Sequence, residues 1–309
     1  MKKFINIIII IFFILLIGYI YRENIAYFVI DNFIIPKEEI KYKDNDYSYK
    51  KDYAYVQIND SFYPHNKQDI LNIIYTRLDQ GIDEFYFYCD KEYPNCINDV
   101  KEITSNSSKI SEINNFIHPF NSYDKLAITF DSFDKIVIKS QKLYSQQEIN
   151  EINLKVDEII KNNITNNMSD KEKLKTIHDY IINNTKYDGQ KADAIKNNTK
   201  IPNTYKSQKA YGPLIQGMGI CGGYSDALAI FLDRLNIQNY KIASSNHIWN
   251  LVKLDKWYHI DLTWDDPVTT DGSDALINDF FLINTYKLQE LDLTQHNFNL
   301  NIYQEAKNS

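Results

Sequence analysis

Cys221 has the surroundings of a nucleophile. It follows Met218-Gly219-Ile220 and precedes Gly222-Gly223-Tyr224-Ser225. Beyond it, Ala227, Leu228, Ile230, Phe231 and Leu235 recur at helical spacing, which places Cys221 at or just before a helix N-terminus. Unpaired N–H groups and the helix dipole at such a terminus stabilise negative charge on sulfur. The same N–H groups can receive the oxyanion of a carbonyl under attack, and Gly222 lets a substrate backbone come close. A cysteine there with no further partner would read as a small buried apolar residue.

Two further residues supply what the thiol needs. Asn246–Lys253 and Lys256–Leu262 are rich in β-formers and read as two strands joined by a short turn near Leu254-Asp255. His247 falls on the first and Asp261 on the second. In an antiparallel pair, a five-residue loop centred on Leu254 sets His247 directly opposite Asp261, and a three-residue loop leaves both on one face. An even-length loop would separate them. With an odd loop, the carboxylate accepts from one imidazole nitrogen and leaves the other for the thiol, the arrangement of nucleophile, base and orienting acid.

The blocks in which these residues sit are Tyr211-Gly212-x-Leu214, Gly219-Ile220-Cys221-Gly222-Gly223-Tyr224-Ser225-x-Ala227, His247-Ile248-Trp249-Asn250-x-Val252 and Trp257-Tyr258-His259-Ile260-Asp261-x-Thr263-Trp264-Asp265-Asp266-Pro267. Together they resemble the transglutaminase-like superfamily, and more narrowly the bacterial proteins that carry a transglutaminase core domain. The resemblance covers Ser169 to about Pro267, and Phe280-Phe281-Leu282 followed by His296 resembles the tail such proteins often carry. It implies a papain-like α+β fold, in which a helix bearing the cysteine packs on an antiparallel sheet bearing the histidine and aspartate. It also implies Cys221 as nucleophile, His247 as general base and acid, and Asp261 as the residue that orients His247. Ile248, where alanine is usual, and a turn one residue shorter than is often seen depart from the pattern without removing a catalytic group.

Tyr211 and Gln216 are candidate oxyanion or substrate contacts, and Gly222, Trp249 and Trp264 complete the candidate substrate-binding set. The tryptophans, Trp257 included, can wall a cleft or fill a core. His259 shares the parity of Asp261 and is assigned to packing or hydrogen bonding. His178-Asp179 lies in a helix, where neighbours point apart, so it is not expected to act as a dyad. His65 and His118, each beside a proline, read as loop residues. The sequence has no phosphate loop, dinucleotide fingerprint or paired zinc-ligand spacing, so no cofactor and no metal is expected, and no dedicated calcium loop is present.

These residues sit in a chain of 309, with Lys+Arg 34 against Asp+Glu 41 and a net charge of −7. That balance, without a basic stripe, speaks against a nucleic-acid partner. The length suggests about two domains. Three cysteines are too few for a disulfide scaffold. Cys89 and Cys96 flank Tyr93-Pro94-Asn95, a turn able to bring the two Cα atoms to the roughly 4.4–6.8 Å of a disulfide. The other reading is a pair of buried, reduced thiols.

Four segments follow. Residues 1–35 read as an N-terminal membrane anchor, because Phe4–Tyr21 carries no charge and is about as long as a bilayer core is thick. No A-x-A-like site favours a cleaved signal peptide instead. Helix is expected to continue through Ile25–Ile35 and to stop at Pro36. Lys2 and Lys3 lean toward an N-terminus inside, with the body of the protein outside. Residues 36–51 read as a stalk, 52–144 as a small α/β domain without recognisable chemistry, and 145–309 as a transglutaminase-like domain with a connecting helix, in which Lys191–Thr204 is expected to be a loop.

The expected activity is that of a single-pass, membrane-anchored, extracytoplasmic thiol enzyme. It would act on amide bonds of a peptide or protein substrate at the cell surface or cell wall, through an acyl-enzyme that water or an amine resolves. A non-catalytic peptide- or wall-binding module on the same fold is the alternative, and a purely structural surface protein is a third reading.

Overall fold

The computed structural model describes residues 2–29, 42–43, 55–56, 63–89, 92–131, 134–200, 204–267 and 275–309. The expected stalk lies outside them, apart from Tyr42–Lys43, which pairs with Tyr55–Val56. The helix end expected before Pro36 lies outside them as well.

Helices begin where a side chain can take up a free amide. Ser145 and Ser169 each close a capping box, with Glu148 and Glu172 reaching back to the cap backbone, and so start the helices Gln146–Asn163 and Asp170–Asn183. The segment Lys191–Thr204, expected as a loop, instead begins inside a helix, Gly189–Lys196. Asp188 caps it by accepting from the Lys191 amide at 3.1 Å. A polar surface and a short span hide such a helix from periodicity.

The first half of the chain folds as a three-stranded antiparallel sheet of Glu84–Tyr88, Lys135–Lys142 and Tyr123–Phe130, with Lys135–Lys142 in the middle. The helices Lys67–Asp79 and Cys96–Ser105 accompany it. Cys89 and Cys96 are joined in a disulfide with Cα atoms 5.6 Å apart, and Cys221 is free and half-buried.

The second half carries a four-stranded antiparallel sheet in the order Phe281–Ile283, Trp257–Ile260, Ile248–Lys253, Asn239–Ala243. Alternation along these strands serves two cores. Val252 and Ile260 join Leu228, Phe231, Ile177 and Ile181, which come from the helices Cys221–Arg234 and Asp170–Asn183. Tyr240, Ile242, Trp249, Leu251 and Trp257 join an apolar cluster that runs into the first half through Phe116, whose ring lies 5.2 Å from Tyr240 and 5.6 Å from Tyr303. The two halves therefore share one core.

Lys2–Ile20 is helical, and the described side chains Ile7 to Ile17 are exposed at consecutive positions. A second helix, Arg22–Val29, follows. Among the described residues no helix is long and apolar enough to cross a membrane; in the first helix the described side chains begin at Asn6.

The disulfide gives a direct expectation. Of three cysteines, one should react with a thiol reagent under denaturing, non-reducing conditions and three after reduction. Three reactive thiols before reduction would refute the bond.

Candidate active site

The chain reaches Cys221 through a tight, glycine-dependent path. Gly217 adopts φ +70°, a left-handed conformation that favours glycine, and turns the π-helical segment Gly212–Gln216 into the strand Met218–Gly219. That strand pairs in parallel with Lys186–Tyr187. Ile220 is extended, and the helix Cys221–Arg234 starts with no side-chain cap, so its first amides face whatever lies before the helix. A Cβ on Gly223 would meet the Ser207 carbonyl at 2.3 Å, and one on Gly222 the Gln208 carbonyl at 2.8 Å. The missing side chain of Gly222, expected to admit a substrate backbone, thus first admits the protein's own.

Ser225 ties this helix start to the strand beside His247. Its Oγ donates to the Cys221 carbonyl at 2.8 Å and to the Ile248 carbonyl at 3.0 Å, while Asn250 Nδ2 donates to the Ser225 carbonyl at 3.0 Å. Nothing in the spacing of Ser225 announces this role, which depends on the helix docking beside the strand.

His247 and Asp261 sit just beyond the strand ends rather than within the strands. The pairing of Trp257 with Lys253 and Ile260 with Asn250 fixes a three-residue turn, which leaves His247 and Asp261 diagonal on one face. His247 falls outside its strand because the Ser244 amide donates to the His247 carbonyl and Ser244 Oγ accepts the His247 amide in a local turn. Asp261 ends the next strand by turning inward, where Oδ1 accepts the amides of Thr263 at 2.9 Å and Trp264 at 3.2 Å. Oδ2 lies 2.5 Å from His247 Nε2. The remaining ring nitrogen of His247, Nδ1, is not engaged by Asp261, and Cys221 lies near enough to add to the proton affinity of the ring.

The electrostatics follow from burial and charge. Burial works against the His247 imidazolium, but the Asp261 charge and hydrogen bond outweigh it. With a further contribution from Cys221, they hold His247 at about 10, up from 6.5. Burial likewise disfavours the Asp261 carboxylate. The charge and hydrogen bond of His247, with the hydrogen bond of His296, nevertheless keep it ionised far below the usual range.

Other expected residues fall in different places. Trp249 is buried, at 1% exposure, and so cannot wall an open cleft; its ring lies parallel to His247 with centroids 5.7 Å apart, and its Nε1 donates to His259 Nδ1 at 3.0 Å. Trp264 is half-buried and stands edge-on to His247 at 6.5 Å. The Tyr211 hydroxyl donates to Glu151 at 2.5 Å, and Gln216 Oε1 accepts the Lys206 amide at 2.7 Å. His259 has the hydrogen-bonding role expected of it: it is buried, bonded to Trp249 and to Thr285, and pushed down to about 3 by burial and by the charge of His296.

Contrary to the expectation from helix geometry, His178 does touch its neighbour, with Nδ1 2.8 Å from Asp179 Oδ1. Its Nε2 lies 3.0 Å from Asp265 Oδ2, so it pins the turn after Asp261. His296 was legible only as part of a tail, yet its Nε2 lies 2.9 Å from Asp261 Oδ2. Tyr187 is brought close by the parallel strand pair; its hydroxyl is pushed up by burial, with the charge of Cys221 next.

Among the described residues, His247, Asp261 and His296 are the group able to offer a metal three ligand atoms within 4.8 Å of one another. Both histidines lie within hydrogen-bonding reach of Asp261 Oδ2. A cleft of about 540 Å³ opens beside the helix start. Gln208, Gly222, Ser244 and Ile248 line one side, and Asn115 and Ser122 of the first half line the other. Ser122 Oγ is buried there without a hydrogen-bond partner.

A cysteine at a helix start, faced by a histidine and an aspartate from successive strand ends of an antiparallel sheet, defines the architecture. It is a mixed α/β arrangement, a helix on an antiparallel sheet, as the sequence resemblance implies. Among solved structures the chain is similar to one titled "Crystal structure of a TGase", at 16% identity and a TM-score of 0.35, over 68% of this chain and 61% of that one. It is also similar to a putative cysteine protease from Cytophaga hutchinsonii, at 12% identity and a TM-score of 0.27, over 50% of this chain and 66% of that one. The chain thus spans less than two thirds of either. No family model matches the sequence, and no curated protein does. At these scores the likenesses carry no functional argument, which rests on the side chains.

The raised proton affinity of His247 has a stability consequence. Its folded value of about 10 exceeds the unfolded 6.5, so its contribution is complete below pH 6.5 and is lost as pH rises through 10. The melting-temperature advantage of wild type over His247→Asn should therefore shrink across that window. An advantage that grows with pH would contradict the ion pair.

Proposed function

We propose that this chain is a thiol enzyme that acts on amide bonds of a peptide or protein substrate through an acyl-enzyme. The observation that carries the reading is the position of His247, bonded through Nε2 to an ionised Asp261 and near enough to Cys221 for the cysteine to raise its proton affinity. His247 holds the proton that the Cys221 thiol gives up, and the sulfur attacks the amide carbonyl. The oxyanion meets the uncapped amides at the helix start. His247 then returns the proton to the departing amine, leaving a thioester on Cys221. Water or a second amine, deprotonated by His247, releases the acyl group as an acid or a new amide. The cleft beside Gly222 offers room for a polypeptide segment, and Gln216 is a candidate second donor to the oxyanion.

The reading extends to location. Consecutive exposed apolar residues in Lys2–Ile20 present hydrocarbon on every face of that helix, which water does not favour. With the uncharged run Phe4–Tyr21, this supports a single-pass anchor with the catalytic half outside the membrane. The Cys89–Cys96 disulfide fits an oxidising exterior.

Incubation of the full-length chain with a complex peptide mixture, followed by a search for new carboxylates or new amides, tests the activity. Cys221→Ala and His247→Ala should abolish turnover while leaving the fold intact. Asp261→Asn should reduce it by up to roughly 10⁴-fold without abolishing it, because the aspartate orients rather than reacts. Products formed equally by wild type and Cys221→Ala would overturn the proposal.

For the location, protease added to intact cells should release a fragment containing Cys221. A fragment protected until the cells are lysed would place the body inside.

A further inference from the structure

His296 is fully buried against the site without belonging to the triad. Its ring lies parallel to Phe280, with centroids 5.3 Å apart and an interplanar angle of 19°. It stands edge-on to Trp249 at 4.8 Å and to His247 at 5.2 Å. Both ring nitrogens face carboxylates: Nε2 lies 2.9 Å from Asp261 Oδ2, and Nδ1 lies 2.9 Å from Asp292 Oδ2. An ionised carboxylate accepts and does not donate, so each ring nitrogen that carries a proton donates it to the carboxylate it faces. Asp292 also accepts from the Thr294 amide, Thr294 Oγ1 and the Gln295 amide, which keep it ionised. The result is a row in which carboxylate and imidazole alternate: Asp292, His296, Asp261 and His247.

We propose that His296, held by Asp292, is a positioning residue that fixes Asp261 Oδ2 on His247 and takes a share of its negative charge. It thereby sets how tightly His247 keeps its proton. The inference rests on the triad reading above. Two donors on one oxygen, with two backbone amides on the other, leave the carboxylate no freedom to rotate. His296 and His247 share the Oδ2 of Asp261, so a residue at 296 without a donor leaves that oxygen wholly to His247. The other titratable groups around the pair are Cys221, Tyr187, His259 and Asp265. Of these, His259 is held neutral and Asp265 is engaged by His178.

The experiment is alkylation of the full-length chain by iodoacetate between pH 4 and 11, with the disulfide intact so that Cys221 is the reactive thiol. An anionic reagent is attacked by thiolate and attracted by imidazolium, so its rate should fall at high pH as His247 loses its proton. His296→Phe keeps the ring stack on Phe280 and removes both donors. Its falling limb should move up by about one pH unit, because the competing donor on Asp261 Oδ2 is gone and the carboxylate holds the His247 proton more tightly. His296→Gln, which keeps one neutral donor, should move the limb in the same direction and serves if the phenylalanine variant does not fold. A limb unmoved or moved down in a folded variant would overturn the proposal and leave His296 a packing residue. Wild type reacting as an ordinary thiol, with no such limb, would overturn the triad reading and this inference with it.

Discussion

A buried negative charge organises the second half of this protein. Asp261 is 1% exposed, and a carboxylate removed from water is tolerated only when donors replace the water. Its donors come from three parts of the chain: the turn that follows it, the strand start at His247 and the tail at His296. Each of those parts is held in turn. Phe280 receives the Asp261 amide on its carbonyl, the neighbouring Asp265 accepts from the Phe280 amide, and His178 reaches Asp265 from a separate helix. The geometry at His247 is therefore not a local property of a hairpin. It is the point at which a sheet, a helix and a tail agree.

The sulfur side is set by a different constraint, the close approach of backbone to backbone. Gly222 and Gly223 let the segment at Ser207 and Gln208 press on the helix start, and Ser225 bolts that start to the strand beside His247. A side chain added at either glycine would push the thiol away from the imidazole. The first half of the chain takes part as well, since Phe116 packs against Tyr240 and Tyr303 and residues of both halves line the cleft. A segment without chemistry of its own thus lines the cleft beside Gly222.

What the sequence reveals and what it hides divide along the range of the interactions. The Cys221 helix, the Ser169 cap and the hairpin that aligns His247 with Asp261 are all local, written in spacing over a few residues. Whether Trp249 walls a cleft or fills a core is not written in its spacing, because strand alternation tells which residues share a face and not which face is covered; here both are, and Trp249 is in the core. The Gly189–Lys196 helix was missed because its polar surface leaves little periodicity. His296 lies 35 residues from Asp261 in an irregular tail, and Tyr187 enters through a two-residue parallel pairing. No spacing rule reaches either. The Cys89–Cys96 pair could be read as sterically feasible but not as formed, because feasibility does not exclude two reduced thiols.

The central claim is that Cys221 carries an acyl group during the reaction and that His247 makes this possible. The most direct measurement is the intact mass of the full-length chain after brief exposure to 4-nitrophenyl acetate, followed by mapping of the modified peptide. The account predicts one acetyl group, on the peptide containing Cys221 and removed by hydroxylamine, in wild type and not in His247→Ala. An unmodified mass, or acetyl groups distributed over lysines in both proteins alike, would contradict it.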